Sequence, residues 1–410
     1  MKIVTIGTGM AAAEFVDVLR KEGSQDEIVM LGNEPFPPYS PCVIPFFLAG
    51  EPLTTVYWKG ESFYRNKGVT ALLDSAVAEV DAKRHRVRLS NGRTENYDRL
   101  FFATGARSWY PQPQWLETNG VFGFKTLTDM LAIDDYIREH ATRRVVVFGG
   151  GFIGVDAALA LWHRGLEVIL VHRNTRLLSQ MTDEDGGVFA TRKLREITGI
   201  DVRLKTTVTD IDIRDGALRG VKMSNGDSVE TTMLIVAIGV SPNSEPLVGN
   251  DRGVVVDETL RYDPHIYVAG DVAVTPHALT GEPAIYATYP NAMLQARTAV
   301  RHLLHGDATY NGSINTNVLK KHIDFPIISA GTFEGDPVTW QNQHLFRRVY
   351  LQNGKINGYQ LIGDTRVSGY IYNLYCAQVR VDKIIAPILA DNRGDSYYRS
   401  LMGFNQGQLG

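Results

Sequence analysis

The chain is 410 residues long, 44% hydrophobic and 21% charged, with a formal net charge of −3 at pH 7. That much apolar material excludes general disorder, and the near-neutral charge excludes a nucleic-acid binder held by a basic footprint. The two cysteines, Cys42 and Cys376, exclude a disulfide framework, and equally an iron–sulfur cluster or four-cysteine zinc site built by this chain alone. No apolar run approaches the ~18 residues that span a bilayer. Met1-Lys2 leads straight into a strand-like run where a secretory signal would need its apolar region. The expectation is a cytoplasmic protein of two to three domains at about 150 residues each, with no membrane span and no nucleic-acid partner.

The first segment, Lys2-Ile3-Val4-Thr5-Ile6-Gly7, is a short β-branched run that stops at glycine, and Ala13–Lys21 then has helical periodicity. The turn between them, Gly7-x-Gly9-x-x-Ala12, has the spacing of a dinucleotide fingerprint. Gly7 permits the tight turn, Gly9 leaves room for a pyrophosphate against the backbone, and Ala12 lets helix and strand pack closely. Phosphates would then meet unpaired N–H groups at the positive end of the helix. The next strand, Glu27–Leu31, leads to Glu34, the candidate acceptor for an adenosine ribose. The alternative is a tight turn with no ligand.

A β-rich stretch follows. Ser75–Asp81 and His85–Leu89 alternate in apolar character, Asn91-Gly92 is a turn signal, and a further strand ends at Ala103-Thr104-Gly105-Ala106. The opening pattern is then repeated. Arg144-Val145-Val146-Val147-Phe148-Gly149 enters Gly149-x-Gly151-x-x-Gly154, a full match to the fingerprint, with helical periodicity over Val155–Arg164. Here the strand Glu167–Val171 ends in His172-Arg173-Asn174-Thr175-Arg176, with no carboxylate. Cations at that place suit a 2′-phosphate, or they form a solvated edge, so the choice between NAD(H) and NADP(H) stays open. A second meander follows: Val208–Ile213, Asp215-Gly216, Leu218–Met223 and Asn225-Gly226 lead to Ala237-Ile238-Gly239-Val240.

Beyond about Asn315 the texture changes. Aromatics crowd Tyr350–Tyr375, strand-like runs at Arg348–Leu351 and Ile356–Ile362 flank Asn353-Gly354, and Tyr370–Gln378 and Lys383–Ala390 read as helices. The expected fold is α/β, with two Rossmann-like dinucleotide-binding domains and a C-terminal α+β domain. The expected boundaries are 1–112 with 245–315 for the first dinucleotide domain, 113–244 for the second, and 316–410 for a docking or interface domain.

Several later motifs carry a family resemblance. They are Ala237-Ile238-Gly239-Val240-Ser241-Pro242-Asn243, Ile266-Tyr267-Val268-Ala269-Gly270-Asp271-Val272-Ala273, and Tyr289-Pro290-Asn291-Ala292 with Gln295, Ala296 and Arg297. With Tyr97-Asp98 leading into Ala103-Thr104-Gly105, they resemble the FAD-dependent pyridine nucleotide–disulfide oxidoreductase superfamily, strongly over residues 1–310. That resemblance implies the three-layer ββα architecture of glutathione-reductase-type domains. It implies FAD contacts from Gly7, Gly9, Met10, Ala11, Ala12, Glu34, Thr104, Gly105, Gly270, Asp271, Pro290 and Asn291. It implies NAD(P) contacts from Gly149, Gly151, Phe152, Ile153, Gly154, His172, Arg173, Ala237, Ile238 and Gly239. Asp271 would bond the flavin's ribityl and phosphate groups. The helix after Pro290 would aim its positive end at the flavin pyrimidine ring and stabilise the anionic reduced form. Asp156 stands where relatives usually carry glutamate near the nicotinamide.

The C-x-x-x-x-C pair and the C-terminal His-Glu pair of the disulfide reductases are absent, so a relay through a protein disulfide is excluded. The segment Pro38-Tyr39-Ser40-Pro41-Cys42 through Glu51 is similar to the flavin modules of nitrite, rubredoxin and ferredoxin reductases. It is also similar to flavoprotein subunits that link NAD(H) to aldehyde- or 2-oxoacid-oxidising complexes. Pro41 stands where the former usually have arginine. Cys42 matches the place of the single redox cysteine of NADH oxidases, NADH peroxidases and coenzyme A-disulfide reductases, though Pro41 and Val43 flank it instead of the usual neighbours. Packing against the flavin is its other reading. The histidines show no metal-ligand spacing.

The leading expectation is an enzyme that moves hydride between NAD(P)H and FAD and exchanges electrons with an external iron–sulfur protein or partner subunit. A homodimer is compatible with it. A Cys42-dependent oxidase, peroxidase or coenzyme A-disulfide reductase is one alternative. A flavin redox sensor with negligible turnover is another.

Overall fold

The computed structural model describes residues 1–320 and 322–390. It divides into two compact units: residues 1–116, 122–141 and 238–315 form the first, and residues 117–121, 142–237 and 316 onward form the second.

In the first unit a six-stranded sheet runs in the order Arg261–Asp263, Ile266–Val268, Arg99–Phe102, Lys2–Ile6, Glu27–Leu31, Thr70–Leu72. All neighbours are parallel except the first pair. Side chains alternate across the pleat and build a core on each face. Ile3, Met30, Phe101 and Tyr267 pack under the helices Met10–Lys21 and Tyr289–His305, where Phe15 stacks on Phe101 at 4.0 Å. Val4, Ile6, Leu31, Leu100, Phe102 and Val268 face the other way, onto Val80, Val87 and Leu89. Those last residues belong to an antiparallel sheet of Val77–Asp81, Arg86–Leu89 and Thr94–Asn96. Helices, central sheet and small sheet are the three layers of the expected ββα arrangement. The helix after the first glycine turn begins three residues earlier than its apolar periodicity indicates, because Gly9 is already its N-cap. The helix Leu127–Glu139 also packs in this unit, entered through a capping box between Thr126 and Asp129.

The second unit repeats the plan. Its parallel strands run Asp201–Leu204, Glu167–His172, Arg144–Phe148, Leu234–Val236. Alongside is an antiparallel meander of Val208–Arg214, Ala217–Met223 and Ser228–Glu230. Its first turn uses Asp215 at φ +52° and Gly216 at φ +74°, both in the left-handed region.

Residues 316–390 add a five-stranded antiparallel sheet, ordered Thr316–Leu319, Ile327–Gly331, Lys355–Ile362, Phe346–Gln352, Asp336–Gln341. The helices Ser368–Ala377 and Ile385–Ala390 follow it. The last twenty residues of the expected 316–410 segment lie outside the described residues.

This sheet packs on the helix Glu184–Thr198. Arg348 lies 2.5 Å from Asp183 and 3.0 Å from Asp185, and the Asp183 N–H donates to Gln360 Oε1 at 3.3 Å. Phe346 and Phe189 bring their rings within 6.0 Å. Two glycines stand in the first turn of this helix, where side chains already fill the space: a Cβ on Gly186 would run into Gln360, and one on Gly187 into Arg176.

Candidate functional site

The first unit holds a cleft of about 640 Å³ where the strands Lys2–Ile6, Glu27–Leu31 and Arg99–Phe102 end. Its floor is the first glycine turn. Gly7 sits at φ +103°, and a Cβ there would collide with the Ala103 carbonyl oxygen. A Cβ on Gly9 would meet nothing within 4 Å, so its backbone is open to the cleft. Gly9 provides no side-chain cap for the helix Met10–Lys21, and the first turn carries no acid. The positive helix end is therefore left for a ligand to satisfy.

The carboxylates around this cleft are held in defined places. Glu34 accepts from the Tyr39 hydroxyl at 2.6 Å, and from the Thr128 hydroxyl and N–H at 2.7 and 3.1 Å. The Tyr39 oxygen in turn accepts from the Leu127 N–H at 3.1 Å. Burial and then the Glu34 charge push the Tyr39 phenol well above its ordinary pKa, so it stays a donor. Asp271 follows Gly270, which sits at φ +82° and donates its N–H to the buried Gln295 side chain at 2.7 Å. Lys125 Nζ lies 2.7 Å from the Asp271 carboxylate, and both line the cleft. Opposite, the Thr104 hydroxyl donates to the Asn243 carbonyl at 2.7 Å and the Asn243 amide donates back to Thr104 O at 3.0 Å. This exchange locks two turns that are far apart in the chain.

Of the FAD contacts expected from sequence, Gly7, Gly9, Met10, Ala11, Glu34, Thr104, Gly105, Gly270 and Asp271 all line this cleft. Ala12, Pro290 and Asn291 do not. Ala12 is fully buried in the helix–strand packing. Pro290 is exposed in the first turn of its helix, and the Asn291 amide donates to Tyr286 O and Ile314 O, anchoring that helix while Ala292 reaches the cleft. Cys42 is exposed, next to Pro41, which is a lining residue. Lys125 and Asn243 are contributions that motif reading did not single out as site residues. The only local signal near Lys125 is the Thr126-x-x-Asp129 capping box behind it.

The second unit presents the other turn. Gly149 sits at φ +123°, Gly151 has open space where a Cβ would go, and a Cβ on Gly154 would run into the Gly149 carbonyl oxygen. The helix Phe152–His163 starts with Phe152 and Ile153 half-buried and has no acid in its first turn. Asp156 is buried one turn further on. At the end of the neighbouring strand, His172 Nδ1 accepts the Gly150 N–H at 3.0 Å. Burial, reinforced by Arg173 and Arg176, pushes the His172 pKa down to about 4. Arg173 is exposed. Ala237 packs in this unit, its N–H donating to Phe148 O at 2.8 Å. Ile238 and Gly239 fall in the first unit, where Gly239 O accepts from the Trp109 N–H at 3.0 Å.

Both turns fit a dinucleotide by their own chemistry: an open glycine backbone, an uncapped positive helix end and no acid in the helix's first turn. Among the described residues no group of three or more His, Cys, Asp or Glu could hold a metal ion, and no helix is long and apolar enough to cross a membrane.

Residues 1–301 match the family described as pyridine nucleotide-disulphide oxidoreductase. The chain is 29% identical over 401 residues to an NADH oxidase of Methanocaldococcus jannaschii, covering 90% of this chain and 89% of that one. It is 31% identical over 324 residues to the rhodocoxin reductase of Rhodococcus erythropolis, covering 77% and 74%. Among solved structures, the covalent putidaredoxin reductase–putidaredoxin complex superposes with a TM-score of 0.86 at 24% identity, covering 99% of each chain.

Proposed function

This chain belongs to the pyridine nucleotide-disulphide oxidoreductase family, and we propose that within it the protein passes electrons from a nicotinamide nucleotide to a separate iron–sulfur carrier protein. It is an oxidoreductase that uses FAD and NAD(P)H. FAD, when bound, would supply the chemistry that converts a two-electron hydride transfer into single-electron transfers.

The residues of the chain do the holding. Gly7, Gly9 and the start of the helix Met10–Lys21 receive the FAD pyrophosphate at backbone N–H groups. Glu34, oriented by Tyr39 and Thr128, accepts from the adenosine ribose. Asp271 would accept from the ribityl hydroxyls, and Lys125 balances its charge. Gly149 and Gly151 would perform the same backbone service for NAD(P) in the second unit, and Gly154 lets the helix pack against the turn.

The observation that carries the carrier-protein reading is the cysteine inventory. Only Cys42 and Cys376 exist, 334 positions apart in the chain, and no C-x-x-x-x-C pair is available to take electrons onward. A relative at 31% identity is named for reducing a separate carrier, rhodocoxin. The test is reduction of cytochrome c by the FAD-loaded protein and NAD(P)H, with and without an added ferredoxin or rubredoxin. A rate that rises at least tenfold with one of these carriers supports the reading. Failure of every carrier to raise the rate, in protein whose flavin the nucleotide reduces promptly, overturns it.

One observation favours a second reading: Cys42 is exposed beside the cleft wall at Pro41. A thiolate there would attack a disulfide or peroxide, releasing a thiol or water and leaving a mixed disulfide or sulfenate on Cys42, and a reduced flavin would supply the two electrons that return it to the thiol. Cys42→Ser separates the two, because it abolishes turnover with coenzyme A disulfide or peroxide in the thiol case and leaves carrier reduction intact in the other.

A further inference from the structure

The end of the strand Glu167–His172 offers hydrogen-bond donors where a ribose with free hydroxyls would need an acceptor. A backbone N–H can only donate, so the 3.0 Å contact from Gly150 N–H fixes His172 Nδ1 as the acceptor nitrogen. The neutral ring then carries its hydrogen on Nε2, which is buried and has no hydrogen-bond partner. Arg173 comes next in the chain, is exposed and makes no ion pair among the described residues. Lys205, whose backbone N–H donates to Asn174 O at 3.0 Å, makes none either. The nearby carboxylate of Asp183 is already engaged by Arg348 at 2.5 Å, by the Tyr350 hydroxyl and by the Gly186 N–H at 2.7 Å.

An unmodified adenosine ribose presents hydroxyl donors and is best met by a carboxylate. A 2′-phosphate presents only acceptors and negative charge, and is best met by a guanidinium. With Nδ1 occupied, His172 has no lone pair for a ribose hydroxyl, and Arg173 has none at all. We propose that this chain selects NADP(H) over NAD(H), with Arg173 engaging the 2′-phosphate and His172 serving as the positioning residue that withholds an acceptor from the ribose. The proposal rests on the reading of this glycine turn as the nicotinamide-nucleotide site.

The test is calorimetric titration of the protein as purified with adenosine 2′,5′-bisphosphate and with 5′-AMP, two probes that need no turnover. The bisphosphate is expected to bind at least about tenfold more tightly, the effect of a charge-assisted phosphate contact. Arg173→Ala should bring the two probes to within about threefold of each other, and Arg173→Lys should restore part of the gap. Raising the ionic strength should shrink the gap in the unaltered protein, since the contact is exposed. Equal or tighter binding of 5′-AMP overturns the selection and leaves the nucleotide site standing. An unchanged ratio in Arg173→Ala overturns the role of that residue. If neither probe binds to the folded, yellow protein, the nucleotide-site reading fails together with the selection.

Discussion

Lys125 Nζ lies 2.7 Å from the Asp271 carboxylate inside the cleft of the first unit, joining residues 146 positions apart. A carboxylate suited to ribityl hydroxyls is a poor neighbour for a pyrophosphate unless its charge is balanced, and Lys125 balances it. Lys125→Met is expected to weaken FAD binding about tenfold, or ~1.4 kcal/mol, measured by fluorescence titration of the apoprotein. Adding Asp271→Asn should recover part of that loss, because the repulsion goes with the charge. Independent, additive losses in the double variant would show that the two residues do not act as a pair.

The glycines of the second turn separate binding from folding. A Cβ at Gly151 meets no protein atom within 4 Å, whereas one at Gly154 runs into the Gly149 carbonyl oxygen. Gly151→Ala should leave the melting temperature within about 2 °C and reduce nucleotide affinity at least about tenfold. Gly154→Ala should cost about 1–3 kcal/mol of stability. Thermal melts with and without adenine nucleotide distinguish them, and a destabilised Gly151→Ala would contradict the role given to the open backbone.

The sequence made the two glycine turns legible because each obeys local rules: a strand, a stop at glycine, and then a helix. Asp271 was readable in the same way, as a short acid placed by a strand end beside a glycine. Lys125 was not, since nothing within its own neighbourhood marks a partner 146 residues away. The same holds for Tyr39, which orients Glu34 only because the chain folds Thr128 and Leu127 against them. The helix Leu127–Glu139 carries no binding motif of its own, and only the tertiary fold shows that its core is the first unit's. Long-range pairing escapes pattern reading because periodicity records which face is buried and not what covers it.

His172 gives a pH dependence with a definite sign. Burial, with Arg173 and Arg176, lowers its pKa to about 4 in the folded chain, against 6.5 ordinarily. Between those values the unfolded chain binds a proton that the folded one does not, so stability falls as pH drops from about 6.5 toward 4. The loss is up to about 3 kcal/mol. His172→Gln retains an acceptor for the Gly150 N–H without a titrating ring. Denaturant melts across this window should therefore be flatter in the variant, and identical slopes would rule the assignment out.

The ion pair of Arg348 with Asp183 and Asp185 secures the antiparallel sheet of the second unit to its helix. Arg348→Ala leaves the half-buried Asp183 with less compensation and is expected to cost about 1–3 kcal/mol, seen as a lower denaturation midpoint. Burial alone would raise the Asp183 pKa, but Tyr350, the Gly186 N–H, Gln360 and Arg348 outweigh it and hold the carboxyl below its ordinary value. That contribution is complete above the unfolded pKa near 3.8 and disappears as pH falls through the lower folded value. The variant should accordingly lose less on acidification than the unaltered protein.

Gly186 and Gly187 have a consequence for how the protein is made. Each costs the start of its helix about 1 kcal/mol relative to alanine. The space reserved at Gly186 is filled by Gln360, a residue synthesised long after it. During translation that first helical turn emerges before the strand Lys355–Ile362, which carries Gln360. A nascent chain halted before that strand lacks the Gln360 that meets the Asp183 N–H, although Arg348 and Tyr350 are already made.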